Sequence, residues 1–228
     1  MKSTASTESA RTSAEETLDR FNTSDAAAKY ARSLGGTATH RREVRSILRA
    51  LAGLPQGARV LDLPCGTGRL LPALVARGLQ VVEADSSPHM VASTREYARS
   101  SGIELPEDRF LVASVFDIRF PNDSFDAVVC NRLFHHFRER DVRRRALAEL
   151  SRVSRGPIVA SFFSSATVDG VIHRLRYALR GREPTDRIPI PPVEFADDVR
   201  AAGLRVVRWI APRRWVAKQL YAVLARTE

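Results

Sequence analysis

The sequence predicts an α/β fold, with helices on both faces of a mostly parallel, doubly wound sheet. Two observations carry that expectation. Short apolar strand segments alternate with helical segments from about residue 58 onward, and glycines fall where each helix must stop before the next strand. A chain of 228 residues can bury roughly 70% of its unfolded surface in one core, so one domain is expected, spanning 15–228.

Residues 1–14 are mostly Ser, Thr and Ala and are expected as a disordered tail. A helical pattern follows from Glu15 to Ser33. The next, "THRREVRSILRALAGL", places Val44, Ile47, Leu48 and Leu51 on one face and arginines on the other, with Gly53 and Pro55 ending it. Alternation then begins: "ARVLDL" reads as a strand, "GRLLPALVARG" as a helix closed by Gly78, and "LQVVEAD" as a strand. "SPHMVASTREYARSSG" is a helix with Ser86 or Ser87 as N-cap, Pro88 in its first turn and Gly102 as its stop. "RFLVASV" and "FDAVVCN" are strands separated by the turn-forming "PNDS". A basic helix over about 138–153 buries Val142, Ala146, Leu150 and Val153, and "GPIVASFF" reads as a central strand covered on both faces. A helix around Thr167–Leu179, a Pro-rich loop, a helix from "PPVEF" and strands near "LRVVRWIA" and "QLYAVLA" complete the chain.

The formal charge is +10, almost all of it arginine, since lysine occurs only at Lys2, Lys29 and Lys218. Such a field favours anionic partners, although a solvated arginine-rich surface has the same composition. Aromatics make up 7% and do not interleave with the basic runs, which argues against a base-stacking nucleic-acid platform. Cys65 and Cys130 are too few for a disulfide framework or a structural zinc site, and both are expected as free thiols. No apolar run reaches the roughly eighteen residues of a membrane span, and the N-terminus lacks a signal-peptide block. A cytoplasmic protein is expected.

In a doubly wound sheet, ligands bind beyond the carboxyl ends of the strands, and "DLPCGTG" is the first strand–helix turn. Gly66 and Gly68 permit positive φ and let backbone N–H groups approach a ligand. A dinucleotide site would need a third small residue, where Leu71 stands. Asp62 at the mouth of the strand would repel a pyrophosphate and hold an ammonium group, while the helix N-terminus accepts a carboxylate. The second strand ends in Asp85, where an acid can accept hydrogen bonds from both ribose hydroxyls. Ribose plus amino acid is the outline of S-adenosylmethionine.

"VLDLPCGTG", "VVEADSSPHM" and "FPNDSFDAVVCNRLFHHF" resemble, in order and spacing over about 58–164, the motifs of class I S-adenosylmethionine-dependent methyltransferases, in the ubiquinone/menaquinone-biosynthesis branch. The resemblance implies a Rossmann-like seven-stranded sheet with an antiparallel last strand, a helical N-terminal lid over 15–54 and a second lid over 165–191. It implies that Asp62, Gly66 and Gly68 hold the methionine part, with Pro64, Cys65 and Thr67 completing the turn. Asp85 would take the ribose, with Ser86 and Met90 beside the adenine. Where the family usually has an acid for the adenine amino group, Ser114 stands, followed by Val115. Asn131 would face the methionine moiety with Leu133 packed nearby, and Tyr30 and His40 lie in the lid.

Methyl transfer from a sulfonium is an in-line displacement that needs a base only when the acceptor must lose a proton. His135 and His136 follow the fourth strand. Either could be that base, His136 being favoured, or either could serve only to pack against the sheet. Asp117, Asp123 and Asp126 read as turn residues, and no metal site is expected. Val168, Ile172, Leu175 and Leu179 form a stripe among Arg174, Arg176, Arg180 and Arg182. It either lies on an anionic membrane or is buried on the domain. The expected function is methylation of a small molecule. The alternatives are a lipid-head-group or quinone methyltransferase at a membrane surface, an RNA methyltransferase drawing on the "DVRRR" patch, and a non-catalytic cofactor-binding protein.

Overall fold

The computed structural model describes residues 11–32, 37–181, 187–213 and 216–227. Residues 1–10 of the expected tail and Arg182 of the basic cluster lie outside them.

Three helices precede the sheet: α1 Ser13–Phe21, α2 Ser24–Arg32 and α3 Ala38–Ala50. Order begins earlier than the expected boundary at residue 15. Thr12 and Glu15 form a capping box, and the Ser13 side chain and backbone N–H both bond Glu139 across the domain. The expected single helix over 15–33 is two, because the Thr23 hydroxyl accepts from the Ala26 N–H and starts a new helix.

The alternating part runs β1 Arg59–Asp62, α4 Leu71–Ala76, β2 Gln80–Asp85, α5 Pro88–Ser100, β3 Phe110–Val112, β4 Ala127–Cys130, α6 Arg140–Val153 and β5 Ile158–Phe163. Then follow α7 Val168–Ala178, α8 Pro192–Ala201, β6 Leu204–Ile210 and β7 Gln219–Arg226. Ser87 is the N-cap of α5, accepting from the Met90 N–H, with Pro88 behind it.

The seven strands lie in the order β3-β2-β1-β4-β5-β7-β6. β1 to β5 pair in parallel, while β7 is antiparallel to both β5 and β6. Chain order therefore reverses between β1 and β4, whose following loops diverge and open a crevice. Successive residues of each central strand feed opposite cores. Leu61, Val82, Val128 and Ala160 pack with Ala146 and Leu150 of α6 and Phe195 of α8. Val60, Val81, Val129 and Val159 pack with Ile47 of α3, Leu74 of α4 and Val91 of α5. That double burial is why these strands read as continuous apolar runs.

The "DVRRR" patch is not a free basic surface. Arg143 is 1% exposed. Its guanidinium reaches Asp198 of α8 at 2.7 Å and the carbonyls of Phe137 and Arg138, and Glu194 pairs with it too. Arg140 and Arg144 bond the same buried Asp198. Arg140, Arg143 and Arg144 clamp α6 to α8 through one carboxylate, which leaves the RNA reading resting on the overall charge.

The other correction concerns α7. Its stripe is not buried on the domain: Val168, Val171, Ile172, Leu175 and Leu179 are all exposed, Leu179 to 86%.

Candidate functional site

A cavity opens in the crevice between β1 and β4. Its floor is the β1–α4 turn, contributing Pro64, Cys65, Gly66 and Thr67. One wall comes from the end of β2, with Asp85, Ser86 and Met90, and the opposite wall from the segment after β4, with Asn131, Leu133, His135 and His136. Thr17 and Phe21 of α1 and Tyr30 of α2 close the top.

The two glycines of the turn do different things. Gly66 has φ +59 and nothing within 4 Å of where a Cβ would stand, so its missing side chain opens into space for a ligand. Gly68 does not line the cavity. A Cβ there would meet Cγ2 of Thr94 at 2.8 Å, so this glycine lets α5 pack onto the turn. The Thr94 hydroxyl also donates to the Gly66 carbonyl at 2.8 Å.

Asp85 ties the turn to β2. Its carboxylate accepts from the N–H of Gly66 at 3.0 Å and of Ser87 at 2.9 Å. Burial nevertheless raises its pKa to about 6, against the lowering by those N–H groups. Asp62 lies beneath the cavity rather than on its wall, fully buried, with neither carboxylate oxygen hydrogen bonded. Desolvation lifts it to about 8, partly opposed by Arg69. Cys65 and Cys130 are buried free thiols whose pKa values burial pushes up, so neither is poised as a nucleophile.

Ser114 and Val115 line a smaller cavity, which shares Thr17, Pro64, Ser86 and Leu133 with the first. This places them one step along from Ser86 and beneath α1. The Ser114 hydroxyl accepts from the Phe116 N–H at 3.2 Å and can still accept a second bond or donate.

Asn131 borders the cavity, but its carboxamide is turned into a buried network. Its Oδ1 accepts from Ser161 at 2.9 Å and from Gln219 at 3.0 Å, with the Tyr221 hydroxyl at 3.4 Å. The His135 ring stacks flat on Phe163 with centroids 3.8 Å apart, and burial drives its pKa well below the ordinary imidazole value. His136 stands between His135 and Phe21, at 4.2 and 5.2 Å between ring centroids. Phe21 meets Tyr30 edge-on, so α1 and α2 rest on His136 through an aromatic pair. His40 is half-buried on α3 outside this wall, and burial lowers its pKa.

Several wall residues carry no sequence signal. Arg69, Arg132, Phe163 and Arg187 all line the cavity. Arg132 holds a left-handed φ of +63, maintained by its N–H donating to Ser161 at 2.8 Å and its Nε to Gln219 at 3.2 Å. Glu43 of α3, 1% exposed, pairs with both Arg69 and Arg132. Nothing in "THRREVRS" distinguished this glutamate from an exposed helical charge.

The expected structural aspartates are so placed. Asp126 accepts from the Arg59 N–H at 2.7 Å and pairs with Arg155, Asp123 pairs with Arg226, and Asp117 with Arg119. Among the described residues no cluster of metal-ligating side chains occurs, and no helix is long and apolar enough to cross a membrane.

Residues 60–156 match the family model described as a methyltransferase domain. The demethylmenaquinone methyltransferase of Thermus thermophilus is 40% identical over 111 residues, 48% of this chain and 47% of that protein. The ubiquinone biosynthesis O-methyltransferase of Xanthomonas axonopodis pv. citri is 32% identical over 162 residues, 67% of this chain and 64% of that one. The chain thus spans under two thirds of these relatives. In fold, it superposes on magnesium protoporphyrin IX methyltransferase from Synechocystis PCC 6803 with bound SAH at a TM-score of 0.74, with 17% identity, covering 94% of this chain and 100% of that one. Residues 60–156 thus match a methyltransferase domain, and the strand order with its antiparallel β7 is the class I methyltransferase fold.

Proposed function

We propose that this protein transfers a methyl group from S-adenosylmethionine to a small-molecule acceptor. The observation that carries this reading is the single cavity that joins the Gly66 turn and Asp85 to Asn131, His135 and His136 beneath Thr17, Phe21 and Tyr30. The residues present fit the cofactor. Gly66 leaves open space over the turn, Asp85 stands at the end of β2, and the orphaned carboxylate of Asp62 beneath the floor suits a nearby cation. The bound cofactor supplies an activated methyl on a sulfonium.

Gly66 and Thr67 would hold the amino-acid end and Asp85 the ribose. Ser86 and Met90, with Ser114 and Val115 beyond them, would border the base. The aromatic lid of Phe21 and Tyr30 excludes water from the transfer point, and the wall after β4 orients the acceptor's nucleophile.

Calorimetric titration of wild type and Asp85→Ala with S-adenosylhomocysteine and, separately, NAD tests this reading. Micromolar binding of the first alone, lost in the variant, is expected. Binding of NAD instead, or of neither, overturns it.

A membrane-surface setting for the same reaction has one specific observation in its favour, the exposed apolar stripe of α7 among Arg174, Arg176 and Arg180. Flotation with phosphatidylglycerol vesicles tests it. Binding that weakens with salt and is lost in Leu175→Glu supports this setting; absence of flotation removes it.

A further inference from the structure

Beside the cofactor-side cavity lies a second one of 270 Å³, and the two share Arg132, Phe163 and Arg187 as a common wall. Its lining is strongly unbalanced in charge. Arg42, Arg132, Arg187, Arg213 and Lys218 face Glu43 and Asp169. Of the two acids, Glu43 is already held between Arg132 and Arg69, so the cavity keeps a net positive field.

The shared wall is rigid. Arg132 keeps its left-handed backbone because Ser161 and Gln219 fix it, and these belong to the network that also fixes Asn131. A non-glycine residue is strained in such a backbone, which persists where the surroundings over-determine it, as they do at binding sites. Lys218 immediately precedes Gln219, so β7 begins with a cation at the cavity and an amide inside the network.

Resting on the methyltransferase reading, we propose that this second cavity seats an anionic group of the methyl acceptor, a carboxylate or a phosphate. Arg132, Arg213 and Lys218 hold the anion, and the acceptor's nucleophile extends past Phe163 toward the cofactor. A guanidinium presents paired donors to either anion, and the Lys218 ammonium adds a further charge-assisted donor.

The test uses the full chain saturated with S-adenosylhomocysteine and three probes of one shape: benzoate, phenyl phosphate and benzamide. Their affinities are measured by saturation-transfer NMR in wild type and in Arg213→Gln/Lys218→Gln. Benzoate or phenyl phosphate is expected to bind at least about tenfold more tightly than benzamide, and the tighter of the two identifies the anion. In the double variant the preference falls to within about twofold while S-adenosylhomocysteine binding is unchanged. Equal binding of all three probes, no binding of any, or a preference that survives the double variant overturns the proposal. Failure of S-adenosylhomocysteine to bind wild type would instead overturn the methyltransferase reading, so the two failures are distinguishable.

Discussion

Asp62 and Glu83 are register partners on the parallel strands β1 and β2, both fully buried, and none of their four carboxylate oxygens has a hydrogen-bond partner. Desolvation lifts Asp62 to about 8 and Glu83 well above the ordinary carboxylate range, each also raised by the other or by Asp85. Between about pH 4 and pH 8 this pair therefore holds more protons in the folded protein than in the unfolded chain, where carboxylates titrate near 4. The pair's contribution to stability is greatest at the low end of that window and is lost as pH rises through it. Thermal melting of the cofactor-free protein should accordingly fall between about pH 6 and pH 8. Glu83→Gln should flatten the fall, and an unchanged slope would refute the assignment. Cofactor affinity should move oppositely, rising with pH as Asp62 ionises toward a cation, and Asp62→Asn should abolish that rise.

The glycine pair offers a cleaner separation of folding from binding. Gly68→Ala forces a Cβ against Thr94 and a side chain onto φ +77, and should cost about 1–3 kcal/mol in denaturant unfolding. Adding Thr94→Ser removes the obstructing methyl and keeps the hydroxyl that holds Gly66, so it should restore part of the loss. Gly66→Ala shares the positive-φ strain, at φ +59, but meets open space, so it should cost less stability than Gly68→Ala while weakening S-adenosylhomocysteine binding more. If both alanines cost the same in both measurements, the two glycines are not specialised.

Glu43 joins α3 to the sheet, because its one carboxylate engages Arg69 after the β1 turn and Arg132 after β4. Glu43→Gln keeps the shape and drops the charge, leaving two neighbouring guanidinium groups without their common counterion. A loss of about 1–3 kcal/mol in unfolding free energy is expected, discounted for the partial exposure of both arginines. The variant should also bind S-adenosylhomocysteine more weakly, measured by calorimetry. Unchanged affinity would mean that α3 packs independently of the site.

The proposed cofactor half of the site was legible because it is written in local backbone chemistry. A glycine that must leave space, an acid at a strand end and a cap before a helix all sit within a few residues of one another, as Gly66, Asp85 and Ser87 do. The acceptor half was not. Arg69, Glu43, Arg132 and Arg187 come from separate segments, and a charged residue on an arginine-rich helix looks the same whether it points to water or to a buried partner. The "DVRRR" run misled for the same reason, since its counterion Asp198 lies 55 residues beyond Arg143. Periodicity also gave the stripe of α7 correctly but not its exposure, because a pattern specifies a face and not what covers it.

The two histidines make the last prediction. His135 stacks on Phe163, and burial with the neighbouring His136, Arg132 and Arg187 holds it well below the ordinary imidazole pKa, so it is neutral and weakly basic across the working range. A weak base removes little of the barrier to proton abstraction, so His135→Phe, which preserves the stack, should keep methyl transfer within about threefold of wild type. His136 lines the same cavity between His135 and the ring of Phe21, and we propose it as the group that takes an acceptor's proton. His136→Asn should lower kcat by about a hundredfold for an acceptor that must deprotonate, with S-adenosylhomocysteine affinity nearly unchanged. A proportional loss in affinity instead would make His136 a support for the lid, because a packing role weakens binding and turnover together, whereas a base affects only the step in which the proton moves.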